Sequence, residues 1–389
     1  MSAVKKKVLY PGSVLRSFLQ DSRSVGIVLL ACTAVSMLVA NSAYSKAWRH
    51  LINNRFTTPH WLRVPHTPLH WINDGGMALF FFLVGMEIKR ELLAGELSDI
   101  RKASMPVAAA LGGMLAPALL YIVFNHGGEY AGGWAIPMAT DIAFSLGVAS
   151  LLGPRVPVSL KIFLMALAIV DDLGAVLVIA LFYGNELHTG WLLGAVGLTA
   201  ILALLHVLKK HSTVVFIIIS LALWYMVYNS GVHATIAGVA AAFFVPLNKL
   251  AKYEHRLRYL VNFIVLPVFA LANTAIVLPA NLAQPFTTPL SWGILAGLVV
   301  GKPLGIVLFS LLMVKLGLGK KPSGSSWKQV TGVGMLGGIG FTMSIFITLL
   351  AFPGQLNRDI SKLAILVASL LSIGGGLLLL RLAAPAKNV

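Results

Sequence analysis

The sequence predicts an all-α membrane protein of about twelve transmembrane helices, and three observations carry that expectation. Of the 389 residues, 58% are hydrophobic and 11% are charged, where soluble domains carry about 25% charged residues. Runs such as 25–39, 105–124 and 162–182 are long enough for a hydrocarbon core of about 30 Å, which takes about 20 helical residues. Basic residues recur at alternate gaps between the runs, which is the positive-inside pattern. With a cytoplasmic N-terminus, 23 of the 30 Lys and Arg fall in cytoplasmic segments, from Lys5, Lys6, Lys7 and Arg16 to Lys387. The opposite side holds six, Lys46, Arg49, Arg55, Arg63, Arg358 and Lys362, and Lys302 alone lies inside an apolar run. The formal charge of +17 therefore encodes topology and does not mark a nucleic-acid binder.

Apolar runs between polar punctuation place the spans near 24–40, 69–91, 104–124, 134–152, 158–183, 190–208, 213–228, 231–247, 258–279, 291–316, 330–352 and 361–382. An even count puts both termini on one side, and no soluble domain stands between the spans. The basic N-terminus before the first run resembles a leader ending near Val39-Ala40-Asn41-Ser42. The expectation is no cleavage, because more than twenty residues precede the run and no secreted domain follows it. The single cysteine, Cys32, lies in the first run and offers neither a disulfide nor a thiolate metal site.

The largest loop on the non-cytoplasmic side, 41–68, is rich in His and aromatic residues. Phe56-Thr57-Thr58-Pro59 allows a short strand pair whose edge could meet a second copy of the chain. An irregular loop with Trp48, Trp61 and Trp71 at headgroup level is the favoured alternative. In the fourth span, Pro137, Thr140 and Asp141 interrupt an apolar segment. In the eleventh, Gly332, Gly334, Gly337, Gly338 and Gly340 crowd the residues before Phe341. Paired interruptions in the two halves of a chain point to a transporter's binding site, whereas small residues alone also serve close helix packing.

Charges at membrane depth locate the candidate site. Asp171 and Asp172 stand mid-span in the fifth run, where each carboxylate costs about 2.5–3.5 kcal/mol on insertion scales. Adjacent residues on a helix point about 100° apart, so one can face a cavity and the other a protein partner. Asp141 follows Thr140 in the fourth span. Freed carbonyls, a hydroxyl and carboxylates make an all-oxygen site suited to a hard cation; alternatively, or in addition, Asp141 stabilises half-helix N-termini. Lys302 would pair with a carboxylate or with carbonyls at half-helix C-termini, snorkelling being the alternative. Asn273 and His233 read as structural hydrogen-bonders. Glu87, Arg90, Glu91, Glu254 and His255 read as helix-end charges in solvated salt bridges, with a pH-reporting role as the sharper alternative.

Five strings, Ala139-Thr140-Asp141-Ile142-Ala143-Phe144, Ala168-Ile169-Val170-Asp171-Asp172-Leu173-Gly174-Ala175, Ser230-Gly231-Val232-His233-Ala234-Thr235, Gly301-Lys302-Pro303-Leu304-Gly305 and Gly338-Ile339-Gly340-Phe341-Thr342-Met343-Ser344, closely resemble the NhaA family of bacterial sodium/proton antiporters. The resemblance runs in matching order from about Ser24 to Arg381; the first twenty residues have no clear counterpart. The family is itself a standard example of inverted-topology repeats, so that architecture is implied by the resemblance and is not a deduction from these residues. It implies core repeats over 104–183 and 291–382, with the fourth and eleventh spans crossing as broken helices and 24–91 and 190–279 as scaffold helices. It further implies that Asp171 and Asp172 bind Na+, with Asp172 the direct ligand and Asp171 the partner of Lys302. Thr140 and Asp141 would join the ion site, Asp141 and Lys302 would balance half-helix dipoles, and Glu87, Glu91, Glu254 and His255 would line the pH-responsive entrance. Arg258 stands where a second His is expected, which weakens the last implication.

The expected activity is electrogenic exchange of sodium or lithium for protons, through competition for buried aspartates. It needs no cofactor. It would take place in the bacterial inner membrane, with cytoplasmic termini, lipid around the chain and a homodimer contact through the 41–68 loop. A potassium/proton antiporter or an ion-coupled organic anion transporter of the same fold is the runner-up, and a simple channel a further possibility. An intramembrane aspartyl enzyme is disfavoured, because the chain lacks a Gly-x-Gly-Asp segment and adjacent carboxylates diverge.

Overall fold

The computed structural model describes residues 22–59, 63–184, 186–210 and 212–383. Lys5, Lys6, Lys7, Arg16, Lys387 and Trp61 lie outside them. The regular elements among the described residues are all helices, with no strand, joined by irregular loops. In chain order the helices are α1 Ser22–Ala40, α2 Ser45–Asn53, α3 Met77–Ala94, α4 Ile100–Phe124, α5 Ile142–Leu151, α6 Val158–Phe182, α7 Thr189–Val207, α8 Thr213–Asn229 and α9 Thr235–Ala242. They continue with α10 Leu247–Asn273, α11 Pro289–Lys315, α12 Trp327–Gly337, α13 Phe341–Ala351 and α14 Gln355–Leu382.

Among the described residues, eight helices are long and apolar enough to cross a membrane, or nine if α12 and α13 form one span bent by 44°. Three expected spans fall short on those criteria for visible reasons. α3 carries Glu87, Lys89, Arg90 and Glu91, α8 has 17 residues, and α9 has 8. Outward-facing leucines recur at helical spacing, as with Leu304, Leu308 and Leu312 on α11, which is the surface a hydrocarbon solvent requires. In the 41–68 loop, α2 occupies 45–53 and the segment after it is irregular, the favoured of the two expectations: the Phe56 N–H reaches the His66 carbonyl at 2.7 Å, but no strand forms among the described residues.

Two helix pairs approach backbone to backbone. On α4 and α11, Gly112 and Gly305 face one another so closely that a Cβ on either would overlap the other's carbonyl, the small-residue packing that substitutes for hydrophobic driving force in lipid. On α3 and α9, Gly85 and Gly238 do the same against Ala242 and the Ala78 carbonyl. Lys89 is buried beside this second pair, and its ammonium donates to the Phe243 and Val245 carbonyls, each at 2.7 Å. It thereby satisfies carbonyls just past the end of α9. Gly305→Ala is expected to lower stability by roughly 1–3 kcal/mol through overpacking, read as a lower unfolding midpoint in detergent. Gly374→Ala, where a Cβ meets open space, is expected to leave the midpoint unchanged.

α4 packs against both α6 and α11, and α11 against α12. The two interrupted spans are thereby enclosed by the core, where Ile136, Ile339 and Phe341 are buried.

Candidate functional site

The fourth span is interrupted where the sequence places Pro137, Thr140 and Asp141. Its N-terminal arm is two 3-10 turns, Ala131–Gly133 and Ile136–Met138; the backbone then extends at Ala139 and re-enters the helix at Ile142. The eleventh span breaks at 338–340. The breaks meet. The Asp141 N–H donates to the Ile339 carbonyl at 2.7 Å, and the Ser344 hydroxyl donates to the Ile136 carbonyl at 2.7 Å. Backbone groups that each interruption frees are thus satisfied by the other, as a membrane interior requires.

Asp141 sits between two helix N-termini. Its Oδ1 accepts from the Phe144 N–H at 3.0 Å, capping α5, and its Oδ2 accepts from the Thr342 N–H at 3.3 Å and from the Thr342 hydroxyl. The N-cap of α13 is Gly340, which has no side chain to do this. A single carboxylate therefore serves the positive ends of two half-helices. Thr342, quoted in a motif but given no role by sequence, is the residue that makes the second cap.

Asp171 and Asp172 diverge as adjacent helix positions must. Asp171 Oδ2 lies 2.8 Å from the Lys302 ammonium, both side chains being fully buried. Lys302 also donates to the Met138 carbonyl at the end of the 3-10 arm, and a π-helical turn, Gly297–Gly301, immediately precedes it on α11. The Thr140 hydroxyl lies 2.7 Å from Asp171 Oδ2 and 2.9 Å from the Gly337 carbonyl; with one proton it donates to one of them at a time. Asp172 faces a cavity of about 450 Å³ whose wall also includes Thr140, Asp141 and Thr342. One oxygen of each aspartate, Asp171 Oδ1 and Asp172 Oδ1, is buried without a protein hydrogen-bond partner.

The mouth of this cavity is framed by Glu87, Arg90, His255 and Arg258. The carboxylates here are not the solvated charges expected at helix ends: Glu91 and Glu254 are buried. Arg90 bridges Glu91 and Glu254, each at 3.1 Å, while Arg258 pairs with Glu87 at 2.8 Å and also with Glu254. His255 stands apart from these pairs, edge-on to Tyr259 at 5.1 Å. Lys362, counted by sequence with the outer loop charges, is buried on α14 with Asp359 at 4.0 Å. Asn273 donates to Asn73 at 2.8 Å, and His233 pairs with the Tyr183 carbonyl.

Among the described residues, no three His, Cys, Asp or Glu side chains converge to hold a metal ion. The cavity wall presents the carboxylates of Asp141 and Asp172 and the hydroxyls of Thr140 and Thr342, an all-oxygen donor set of the kind a hard cation takes.

Residues 16–380 match the family described as Na+/H+ antiporter 1. A Na(+)/H(+) antiporter NhaA 2 of Flavobacterium johnsoniae is 47% identical, covering 94% of this chain and 92% of its own. A Na(+)/H(+) antiporter NhaA of Cytophaga hutchinsonii is 45% identical, covering 94% of this chain and 95% of its own. The corresponding protein of Salmonella typhi is 46% identical over 96% of this chain and 99% of its own.

Proposed function

The chain belongs to the Na+/H+ antiporter family, and on that premise we propose that it exchanges one sodium or lithium ion for more than one proton by competition for Asp172 and its neighbours. The observation that carries this reading is Asp172 itself, facing the cavity with a buried carboxylate oxygen that no protein group satisfies. A carboxylate at membrane depth must be neutralised. A proton and a small cation both do so, and occupancy by one excludes the other.

Asp171, held by Lys302 and Thr140, supplies the second titrating site, with the proton carried on the pair. If the half-helices rearrange only when the site is neutralised, proton entry is tied to sodium exit. Two protons against one cation move net charge inward, so the membrane potential contributes about 2.3 kcal/mol per charge per 100 mV. We infer core repeats over 104–183 and 291–382, supported by the meeting of their two breaks, with 24–91 and 190–279 as scaffold. The charge pattern supports cytoplasmic termini in a bacterial inner membrane. The exposed Tyr44 and Leu51 flanking and lining α2 support a contact with lipid or a second copy through the 41–68 loop. Glu87, Glu91, Glu254 and His255 would set the charge of the cavity mouth.

Competition fixes a pH dependence. In everted vesicles holding a respiration-generated pH gradient, sodium is expected to collapse part of that gradient. As pH falls through the range where the site protonates, the half-saturating sodium concentration rises roughly tenfold per pH unit for one competing proton and up to about a hundredfold for two. A half-saturation that does not move with pH across the active range would rule out competition.

A further inference from the structure

The half-helix α13 carries Thr342, and through it Asp141, at its N-terminus; its opposite end is held by a residue that the exchange mechanism does not use. Arg358, in the first turn of α14, folds back over α13. Its Nε donates to the Phe352 carbonyl at 2.5 Å and its Nη2 donates to the Leu349 carbonyl at 3.0 Å. These belong to the last turn and C-cap of a helix, where carbonyls lack intrahelical partners and the macrodipole is negative. Asp359, next in the chain, accepts from Gln355 at 2.8 Å and lies 4.0 Å from Lys362; it is near enough to act on Arg358 through its charge, while the hydrogen bonds of the half-buried guanidinium go to the two carbonyls.

Between its two ends α13 is sealed. Every residue from Phe341 to Thr348 is buried, and Ser344 ties the helix to the 3-10 arm of the other broken span. Phe352, itself buried, packs with the Tyr121 hydroxyl so tightly on Gly133 that no Cβ would fit there. The guanidinium thus clamps the junction where the N-terminal arm of one broken span meets the C-terminal end of the other, one rigid helix away from Asp141.

We propose that Arg358 is a positioning residue for the cation site: by fixing the C-terminal end of α13 it sets where Thr342 holds Asp141 on the cavity wall. The proposal rests on the reading of Asp141 and Asp172 as the cation site. Neither the motif strings nor the family match assigns Arg358 a role.

The test measures the sodium dependence of transport in proteoliposomes at fixed pH for Arg358→Gln, Arg358→Lys, Thr342→Val and the double variant Arg358→Gln/Thr342→Val, with Asp172→Asn alongside. Arg358→Gln is expected to raise half-saturating sodium roughly three- to tenfold. Arg358→Lys recovers part of the loss, because a single ammonium reaches one carbonyl well but cannot fork across two. In the Thr342→Val background the same Arg358→Gln change adds less than about twofold, since the hydroxyl bond from residue 342 to Asp141 is already gone and only the longer backbone N–H contact is left.

Wild-type half-saturation in Arg358→Gln, with only yield or unfolding midpoint lowered, would overturn the proposal in favour of a purely structural clamp. Full additivity with Thr342→Val would overturn it as well. If Arg358→Gln fails to fold, Arg358→Lys decides: shifted half-saturation supports positioning and an unshifted value overturns it. A fully active Asp172→Asn would instead sink the site reading itself. An inactive Asp172→Asn beside an unshifted Arg358→Gln removes the Arg358 proposal alone.

Discussion

Asp172→Asn is expected to abolish sodium-dependent collapse of the pH gradient in everted vesicles, a loss of at least about a hundredfold in a low-dielectric site. The substitution keeps shape and hydrogen-bonding capacity while removing the charge for which proton and cation compete. Asp172 lies against the cavity with one carboxylate oxygen that no protein group satisfies, so its neutralisation leaves no partner stranded, and the variant is expected to accumulate and unfold at a midpoint close to wild type. That combination, normal protein without exchange, separates loss of a ligand from loss of the fold. A variant that still responded fully would remove Asp172 from the mechanism.

Lys302→Met is expected to have the largest effect on stability. Lys302 and Asp171 are both fully buried and 2.8 Å apart, and breaking such a pair costs about 3–5 kcal/mol because one charge is left without compensation. The Met138 carbonyl also loses its donor, which costs about a further 1–3 kcal/mol. Adding Asp171→Asn to Lys302→Met removes the stranded charge and is expected to restore most of the unfolding midpoint, leaving the carbonyl penalty. Equal destabilisation of the single and double variants would show that the pair is not the source. If the pair carries the second proton, exchange in the double variant also loses its response to membrane potential.

The helical membrane fold was legible in the sequence because hydropathy runs and basic gaps are one-dimensional signals. The same holds for the buried charges: Asp171, Asp172 and Lys302 stand out simply because the bilayer makes such residues rare. Their division of labour was suggested only by family resemblance, since nothing in the order of residues says which carboxylate meets Lys302. Proline and a polar pair at 137–141 gave away the first interruption, whereas the glycines before Phe341 served equally well as packing residues until the bend between α12 and α13 distinguished the two.

Other features depend on convergence that sequence spacing does not record. Thr342 caps through a carboxylate some two hundred positions away. Lys89 looked like one more topogenic lysine, yet it is buried on the end of α9. Glu91 and Glu254 read as helix-end charges, where solvent is the usual environment, but both are buried, Glu91 against Arg90 and Glu254 between Arg90 and Arg258. Arg358 and Lys362 both read as outer charges; one caps a half-helix and the other is buried.

The central claim is that sodium and protons compete for the same buried carboxylates. It is tested most directly by adding sodium to purified, weakly buffered protein and recording proton release together with bound sodium. The account predicts release of more than one and up to about two protons per sodium bound near the middle of the competing pH range, with both signals absent in Asp172→Asn. Sodium binding without any proton release would contradict it.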